Sequence, residues 1–346
     1  MQRRIGFISL GAVLLALPGC AAGGTPEGSG LATHLVAGND LPVTETPLVQ
    51  DDGRLRFVIV GDRTGGHRPG IFSRAMQQIN LLQPEFVISV GDHIEGYTED
   101  TAEIDRRWDE VETAIDTLEM PFFHVVGNHD ISNLSMREIW YRRLGRDYYH
   151  FIYKGVLFIA LNTEDPPASG SERRKLASMA DPEDLKRVFA AMQGDPDAAE
   201  ALFSREPRLG ELAKKLSGSE RIGISQAQLD YVAEALAQNP DPRWTFVLMH
   251  RPAWRTNSPE FARIEAMLEG RPYTVLAGHY HSYAHEQRLG RDYIITGTTG
   301  GTQQANPDSP GTMDHVIQVT MTEDGPRMAN ITLDGLSGKE GPQQTE

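Results

Sequence analysis

The amino-acid sequence predicts a layered α/β fold on a mostly parallel sheet, interrupted by a helical insertion. Two observations predict it. Short runs rich in β-branched and aromatic residues alternate with longer segments whose apolar residues recur at helical spacing, the pattern of strand–helix–strand units. Five of the apolar runs also stop in the same way, entering a small residue or Met and then Asp, Asn or His. In a parallel sheet the carboxyl ends of the strands share one edge, where ligands bind.

The chain opens on a segment that is not part of this fold. Arg3 and Arg4 precede the apolar run IGFISLGAVLLAL, which is too short for a comfortable membrane span and ends in LPGC. Residues 1–20 therefore read as an export signal. Cys20, the only cysteine, sits where a bacterial lipobox carries its lipid, with ordinary secretion as the alternative; Pro18 departs from the usual lipobox residue. A single cysteine forms no intramolecular disulfide, so stability rests on the core. Residues 21–52, rich in Gly, Pro, Thr and Ser, read as a flexible tether. The expected location is the periplasm or outer membrane, with the membrane touched only through Cys20.

The domain is expected over residues 53–337. RLRFVIVGD, EFVISVGD and PFFHVVGNHD read as buried strands, separated by the helical patterns GIFSRAMQQINLL and TAEIDRRWDEVETAIDTL. YYHFIYKGVLFIALNT reads as two strands turning at Lys154 and Gly155. Residues from about 165 to 223 are charged, helix-favouring and broken by Pro182, Pro196 and Pro207, and are expected to form a helical insertion, a candidate cap over the sheet. Ser225 and Gln228 have capping-box spacing at the start of the next helix. RWTFVLMHRP is a strand, and SPEFARIEAML a helix with Ser258 as N-cap and Pro259 at its first position. YTVLAGHYH is a strand, and YIITGTTGG, HVIQVTM and RMANITL complete the β structure.

With 346 residues, 39% of them hydrophobic, the chain has ample material for a core, and its net charge is −15. That balance argues against broad binding to a phosphate backbone, which needs clustered Lys and Arg. Nucleic acid is therefore not an expected partner, although bound metal ions would reverse the field locally.

The five strand ends carry the chemistry: Gly61–Asp62, Gly91–Asp92, Gly127–Asn128–His129–Asp130, Met249–His250, and Gly278–His279–Tyr280–His281. Taken singly, each is an ordinary turn, cap or hydrogen-bonding residue. His279 and His281, at alternate positions, reach one face. Together these residues supply carboxylate, amide and imidazole donors, a set that suits Mn, Fe or Zn better than Ca. Paired metals clamp a phosphate and lower the pKa of water. Arg63 and Arg251 follow two of these groups and have the fork that binds phosphate; His67, Arg68 and His93 lie nearby.

The series GD…GDHIEG…GNHD…H…GHYH, spread over roughly residues 56–285, resembles the calcineurin-like metallophosphoesterase superfamily, which includes purple acid phosphatases and some nucleases. The resemblance implies a four-layered α/β/β/α sandwich of the metallo-dependent phosphatase type. It implies two metal ions of open identity, with Asp62 and His281 on the first, Asn128, His250 and His279 on the second, and Asp92 bridging. It further implies hydrolysis of phosphate mono- or diesters by a metal-bound hydroxide, with His129 as proton donor and Asp130 orienting it. One position departs. The family's first motif is Asp-x-His, and here Thr64 stands at the His. Purple acid phosphatases place a Tyr three residues after the bridging Asp; this chain has Glu95, which either completes the first metal site or lies beside it. Two alternatives remain: a catalytically impaired metal- or phosphate-binding protein, for which Thr64 is the support, and a secreted nuclease.

Overall fold

The computed structural model describes residues 54–167, 180–193, 196–218, 222–303 and 311–338; the export signal, Cys20 and the tether lie outside them. The first half contains β1 (Leu55–Val60), α1 (Ile71–Leu82), β2 (Phe86–Ser89), α2 (Thr101–Ile115), β3 (Phe122–Phe123), α3 (Leu134–Leu144), β4 (Tyr149–Tyr153) and β5 (Val156–Ala160). Helices α4 (Pro182–Gln193), α5 (Pro196–Arg205) and α6 (Pro207–Gly218) follow. The chain continues with α7 (Gln226–Gln238), β6 (Trp244–Leu248), α8 (Pro259–Met267), β7 (Tyr273–Ala277), β8 (Ala284–Arg288) and β9 (Arg291–Ile295). It closes with β10 (His315–Thr322), β11 (Gly325–Thr332) and β12 (Gly335–Gly338).

Two six-stranded sheets result, one in the order β12-β11-β10-β1-β2-β3 and the other β4-β5-β6-β7-β9-β8. In the first, β1, β2 and β3 are parallel and β10 to β12 extend it antiparallel. In the second, β5, β6, β7 and β9 are parallel, with β4 and β8 as antiparallel edges. The four-layered sandwich that the resemblance implies has two sheets, and the five polar strand ends are divided between them, β1 to β3 in one and β6 and β7 in the other. They converge because the two sheets pack face to face.

The side-chain period of two explains that packing. Phe57 and Ile59 of β1 enter the core between the sheets with Phe86, Ile88, Phe158 and Phe246, while Val58 and Val60 face Phe72, Ile79 and Trp108 of the helical layer outside. Both faces are buried, so the strand reads as an unbroken apolar run. The Phe57 ring lies 5.1 Å from Phe86 and meets Phe158 and Phe246 edge-on, each also at 5.1 Å. Full burial of such a ring is worth roughly 1.5–3 kcal/mol. Helices α1 to α3 cover the first sheet, and α7 and α8 cover the second. The layers are therefore α/β/β/α. Among the described residues no helix is long and apolar enough to cross a membrane.

Local expectations resolve individually. Lys154 and Gly155 have φ of 46° and 73°, the two left-handed positions of a type I′ hairpin turn. Ser258 caps α8 through the Phe261 N–H at 3.3 Å, with Pro259 first in the helix. Ser225 caps α7, but Gln228 does not reach back to complete a capping box. Its Oε1 accepts from Asn162 N (2.8 Å) and its Nε2 donates to Asn162 O (3.0 Å), tying α7 to the end of β5. The insertion is helical as expected, but Pro182, Pro196 and Pro207 open its three helices and do not break them. A proline in a first turn lacks only an N–H that has no intrahelical partner. The three helices pack around Val188, Leu209 and Ala213. The insertion leaves and rejoins the domain at a narrow neck, where Gly223 N donates to Thr163 O (2.8 Å) and Asp165 N to Gly223 O (3.1 Å).

One buried group joins the fold to the site. His315 on β10 donates from Nδ1 to Asn330 Oδ1 and accepts at Nε2 from Gly297 N, both at 2.8 Å. It thereby holds the turn whose Thr299 N donates to Asp62 O at 2.9 Å. Burial pushes the His315 pKa down to about 4, the Asn330 contact and Asp314 opposing only partly. The unfolded chain takes up this proton near its ordinary value of 6.5. Stability is therefore unaffected by this group above that pH and falls as pH drops toward 4, by ~3 kcal/mol. Urea titrations of wild type and His315→Gln between pH 7 and 4 are expected to show the variant with a shallower acid slope by about that amount. Parallel slopes would remove His315 from the account.

Candidate metal centre

The site is built where the parallel strands of both sheets end. Asp62 and Asp92, following β1 and β2, are buried, and with His281 they bring carboxylate oxygens and an imidazole nitrogen within 4.8 Å of one another. Asn128 and His129 follow β3, His250 follows β6, and His279 follows β7. His250 Nε2 lies 3.2 Å from Asp92 Oδ2, 3.0 Å from Asn128 Oδ1 and 3.3 Å from His279 Nδ1. The structure thus brings together all six residues expected as ligands from the strand ends.

Backbone conformation makes this approach possible. Asp92, His279 and His281 have φ of 60°, 75° and 54°. Left-handed backbone in non-glycine residues costs of order 1 kcal/mol and concentrates at functional sites. Here it is held by hydrogen bonds from Asp92 N to Asp130 Oδ2 (2.9 Å) and from His279 N to Asp62 Oδ1 (3.0 Å). Glycine is required at 127, where a Cβ would collide with the Asp92 carboxylate and backbone.

The electrostatics call for a cation. His250 Nδ1 is hydrogen-bonded to Val90 O at 2.9 Å, so it carries the proton, and a neutral His250 presents the Nε2 lone pair to two oxygens. Burial lowers the His250 pKa, but the charge of Asp92 and its hydrogen bond, with Asp62 adding, push it up to about 9. Asp92 is held well below the ordinary range: burial opposes this, but His250 and His129 outweigh it. Asp62 is raised by burial, with His250 and His281 offsetting part of the effect. Two carboxylates, an amide oxygen and three imidazoles converge in a buried site, a donor set that a metal ion fits. His281 is prepared in the same way as His250. Its Nδ1 is bonded to Thr302 O at 2.6 Å and its Nε2 faces Asp62, the backbone-fixed tautomer usual for a ligating imidazole.

Several expectations need correction. Asp130 does not orient His129. Its carboxylate accepts from the N–H groups of Asp92, His93 and Gly127 at 2.8–2.9 Å and pairs with His93 Nδ1 at 3.0 Å. It is the brace of the two loops, buried beneath them. His129 Nδ1 is bonded to Glu95 O at 2.8 Å, leaving Nε2 toward the site, 3.9 Å from Asp92 Oδ2. The Glu95 carboxylate lies outside the Asp62–Asp92–His281 cluster. Its Oε1 accepts from Gly66 N (3.0 Å) and His67 N (2.6 Å), bracing the loop after β1. Burial raises its pKa, but the Thr64 hydroxyl and the His67 N–H outweigh this and lower it. The Thr64 hydroxyl acts on Glu95 from nearby without hydrogen-bond geometry, and its buried Oγ1 has no hydrogen-bond partner.

Arg63 does not face substrate. It is buried, donates from Nη1 to His93 O at 2.9 Å, pairs with Glu110 through Nη2 and lies over the Phe72 ring; the residue after Asp62 points to the opposite side of the backbone. Arg251 is also buried, with Nε on Glu164 at 2.6 Å and Nη1 3.3 Å from His279 Nε2. It abuts an expected ligand and does not stand open to solvent. Arg68 is occupied by Gly301 O and Asp314. His93 is buried between Asp130 and Ser89. Tyr97, off register in the sequence for a metal-bound tyrosinate, accepts at Oη from Asn128 Nδ2 at 2.7 Å; Glu164 is a residue the sequence did not single out. Neither lies in a motif, and only folding brings them to the strand ends.

Fold and site define a metallophosphoesterase. The chain matches the calcineurin-like phosphoesterase profile over residues 55–283, and it belongs to that family. It is 36% identical over 102 residues to the human serine/threonine-protein phosphatase CPPED1, and equally to its Pongo abelii counterpart; each match covers 26% of this chain and 31% of the relative. Among solved structures, a dimetal phosphatase from Danio rerio superposes with a TM-score of 0.53 at 16% identity, over 83% of this chain and 97% of that one. Purple acid phosphatase PPD1 from yellow lupin gives 0.52 at 12% identity, over 87% and 58%. Plasmodium GAP50 gives 0.51 at 14%, over 83% and 90%. These likenesses show the fold.

The burial of Arg63 generates a test. Arg63→Met leaves the His93 carbonyl without its donor and is expected to cost about 1–3 kcal/mol of stability in urea unfolding, while KM for a phosphoester changes less than about twofold. A tenfold rise in KM at unchanged stability would return Arg63 to the substrate.

Proposed function

We propose that the protein hydrolyses phosphate mono- or diesters at a two-metal centre. The observation that carries this is the crowding of acceptors around His250 Nε2, with Asp92 Oδ2 at 3.2 Å and Asn128 Oδ1 at 3.0 Å, beside an imidazole, His129, that is not part of the cluster. Asp62, Asp92 and His281 would hold one ion; Asn128, His250 and His279, with Asp92, would hold the other. The donor set suits Mn, Fe or Zn. When bound, such a pair supplies positive charge to the phosphate oxygens and acidity to a coordinated water.

The remaining chemistry belongs to the side chains. His129, anchored at Nδ1 by Glu95 O, presents Nε2 to the site and gives its proton to the departing alkoxide oxygen. Arg251, held by Glu164, lies beside the His279 ring and adds positive charge to that side of the site. No side chain need form a covalent intermediate. The export signal read in residues 1–20 narrows the substrates to phosphoesters of the periplasm or cell exterior.

A second reading, a phosphate- or metal-binding protein of impaired activity, draws on Thr64, whose unpartnered hydroxyl is a poorer ligand than imidazole.

The test is metal analysis of the purified chain with turnover of p-nitrophenyl phosphate and bis-p-nitrophenyl phosphate, before chelation, after it, and after Mn²⁺ or Zn²⁺ is restored. Activity is expected to vanish on chelation and return with metal. His129→Asn is expected to keep its metal and lose at least ~100-fold in kcat on esters with poor leaving groups. Asp92→Asn is expected to lose metal. Stoichiometric metal with no turnover of either ester would favour the binding protein, and two ions retained by Asp92→Asn would refute the shared ligand.

A further inference from the structure

Residues 95–97 form a turn that encloses His129 on three sides. The Glu95 carbonyl accepts from His129 Nδ1 at 2.8 Å. Gly96, at φ 59°, lies so close to the His129 carbonyl that a Cβ there would overlap it. The Tyr97 ring stands edge-on to the imidazole, with centroids 4.7 Å apart and planes at 81°. The same Tyr97 accepts at Oη from Asn128 Nδ2 at 2.7 Å. The turn is itself anchored. Arg107 Nη1 of α2 donates to Gly96 O at 3.0 Å, and Tyr97, in left-handed backbone with φ 54°, donates from N to Ser132 Oγ at 2.9 Å.

We propose that Tyr97 is a positioning residue for both halves of the machinery: its hydroxyl fixes the orientation of the Asn128 amide, and its ring fixes the His129 imidazole. The inference rests on the phosphoesterase reading above. An amide ligates a cation through oxygen only, yet its oxygen and nitrogen ends are nearly the same size, and a flipped amide would turn two N–H groups toward the ion. By taking Nδ2, the Tyr97 hydroxyl leaves Oδ1 pointing at His250 Nε2, 3.0 Å away. The imidazole has its own freedom, because the terminal torsion of His is broad. One hydrogen bond at Nδ1 holds an edge of the ring, and Tyr97 against it removes the remaining rotation, so that Nε2 stays on the leaving-group side.

The two contacts separate by substitution. Tyr97→Phe removes the hydroxyl and keeps the ring; Tyr97→Leu removes both. The probe for the first is Zn²⁺ titrated into the metal-free full chain in competition with a chromophoric chelator, a readout independent of turnover. The probe for the second is kcat at saturating metal on p-nitrophenyl phosphate and on an alkyl phosphate, whose departure depends more on a proton donor. Tyr97→Phe is expected to weaken binding of the second ion by about tenfold or more, as loss of a partner behind a ligand does. Tyr97→Leu is expected to show the same weakening and, at saturating metal, an additional fall in kcat of roughly tenfold that is larger for the alkyl phosphate. A Tyr97→Phe isotherm that overlays wild type overturns the role of the hydroxyl. An equal loss by Tyr97→Leu on both esters, accompanied by a lower melting temperature, makes the ring merely structural and overturns its role. If wild type itself binds no Zn²⁺, the metal-centre reading fails and this inference with it, an outcome distinct from overlaid isotherms of a protein that does bind.

Discussion

The structure depends on keeping two carboxylates, Asp62 and Asp92, buried within reach of each other where two sheets meet. Burying one unpaired carboxylate costs several kcal/mol, and a second nearby adds repulsion. The protein meets this cost with fixed donors and cationic partners. Asp92 Oδ1 accepts from His129 N at 2.9 Å, and Asp62 accepts from His279 N at 3.0 Å, while His250 stands between them. Each donor comes from the end of a different strand, so each strand end must arrive within tenths of an ångström. The four layers behind the site hold those positions. Phe57, Phe86, Phe158 and Phe246 lock the sheets against each other, and helices on both outer faces prevent either sheet from shifting.

The same constraint explains the local backbone. An extended strand that continued past residues 91, 127 or 278 would carry its polar groups away from the centre. Left-handed residues at Asp92, His279 and His281 turn the chain back over the strand ends, so that backbone N–H groups and side chains of one short loop face the same point. Asp130 secures this arrangement from beneath by collecting four N–H groups from two loops. That is why it is wholly buried, and why a carboxylate stands there: a neutral amide at that position would offer one oxygen where four donors and an imidazole converge.

Much of this was legible in the sequence. The strands β1, β2, β5, β6 and β7 bury both faces and so announce themselves as apolar runs; the six candidate ligand positions come after β1, β2, β3, β6 and β7. What was not legible had specific causes. The partition into two sheets depends on which strand pairs with which, and the spacing of motifs carries no record of that. Helix α3 is hard to read although Met136, Ile139 and Trp140 have helical spacing after an Asn133 cap, because the apolar Leu134 and Tyr141 on its exposed side blur the apolar stripe. Asp130 and His129 are neighbours in the chain and were therefore paired, but successive residues at a tight turn point apart, and each found its partner in residues 93–95. Arg63 follows a ligand and was placed on substrate by proximity, whereas its backbone position aims it behind the sheet. Tyr97 and Glu164 belong to no motif. Only the return of two loops brings one beside Asn128 and the other beside Arg251.

The two halves of the centre are unequally built, and the inequality follows from one position. Around His250, every donor has a counterpart behind it: Val90 O fixes His250, Tyr97 Oη holds Asn128, and Arg251 with Glu164 stands behind His279. Around His281, Thr302 O fixes the imidazole, but Thr64 offers only a hydroxyl, and the nearest additional carboxylate, Glu95, is engaged by the N–H groups of Gly66 and His67. Glu95 therefore couples two tasks through one residue: its carboxylate holds the loop after Asp62, and its carbonyl holds the His129 imidazole. A carboxylate engaged by backbone N–H groups is not turned toward Asp62 and His281, so that end of the site presents fewer side-chain donors than the end around His250.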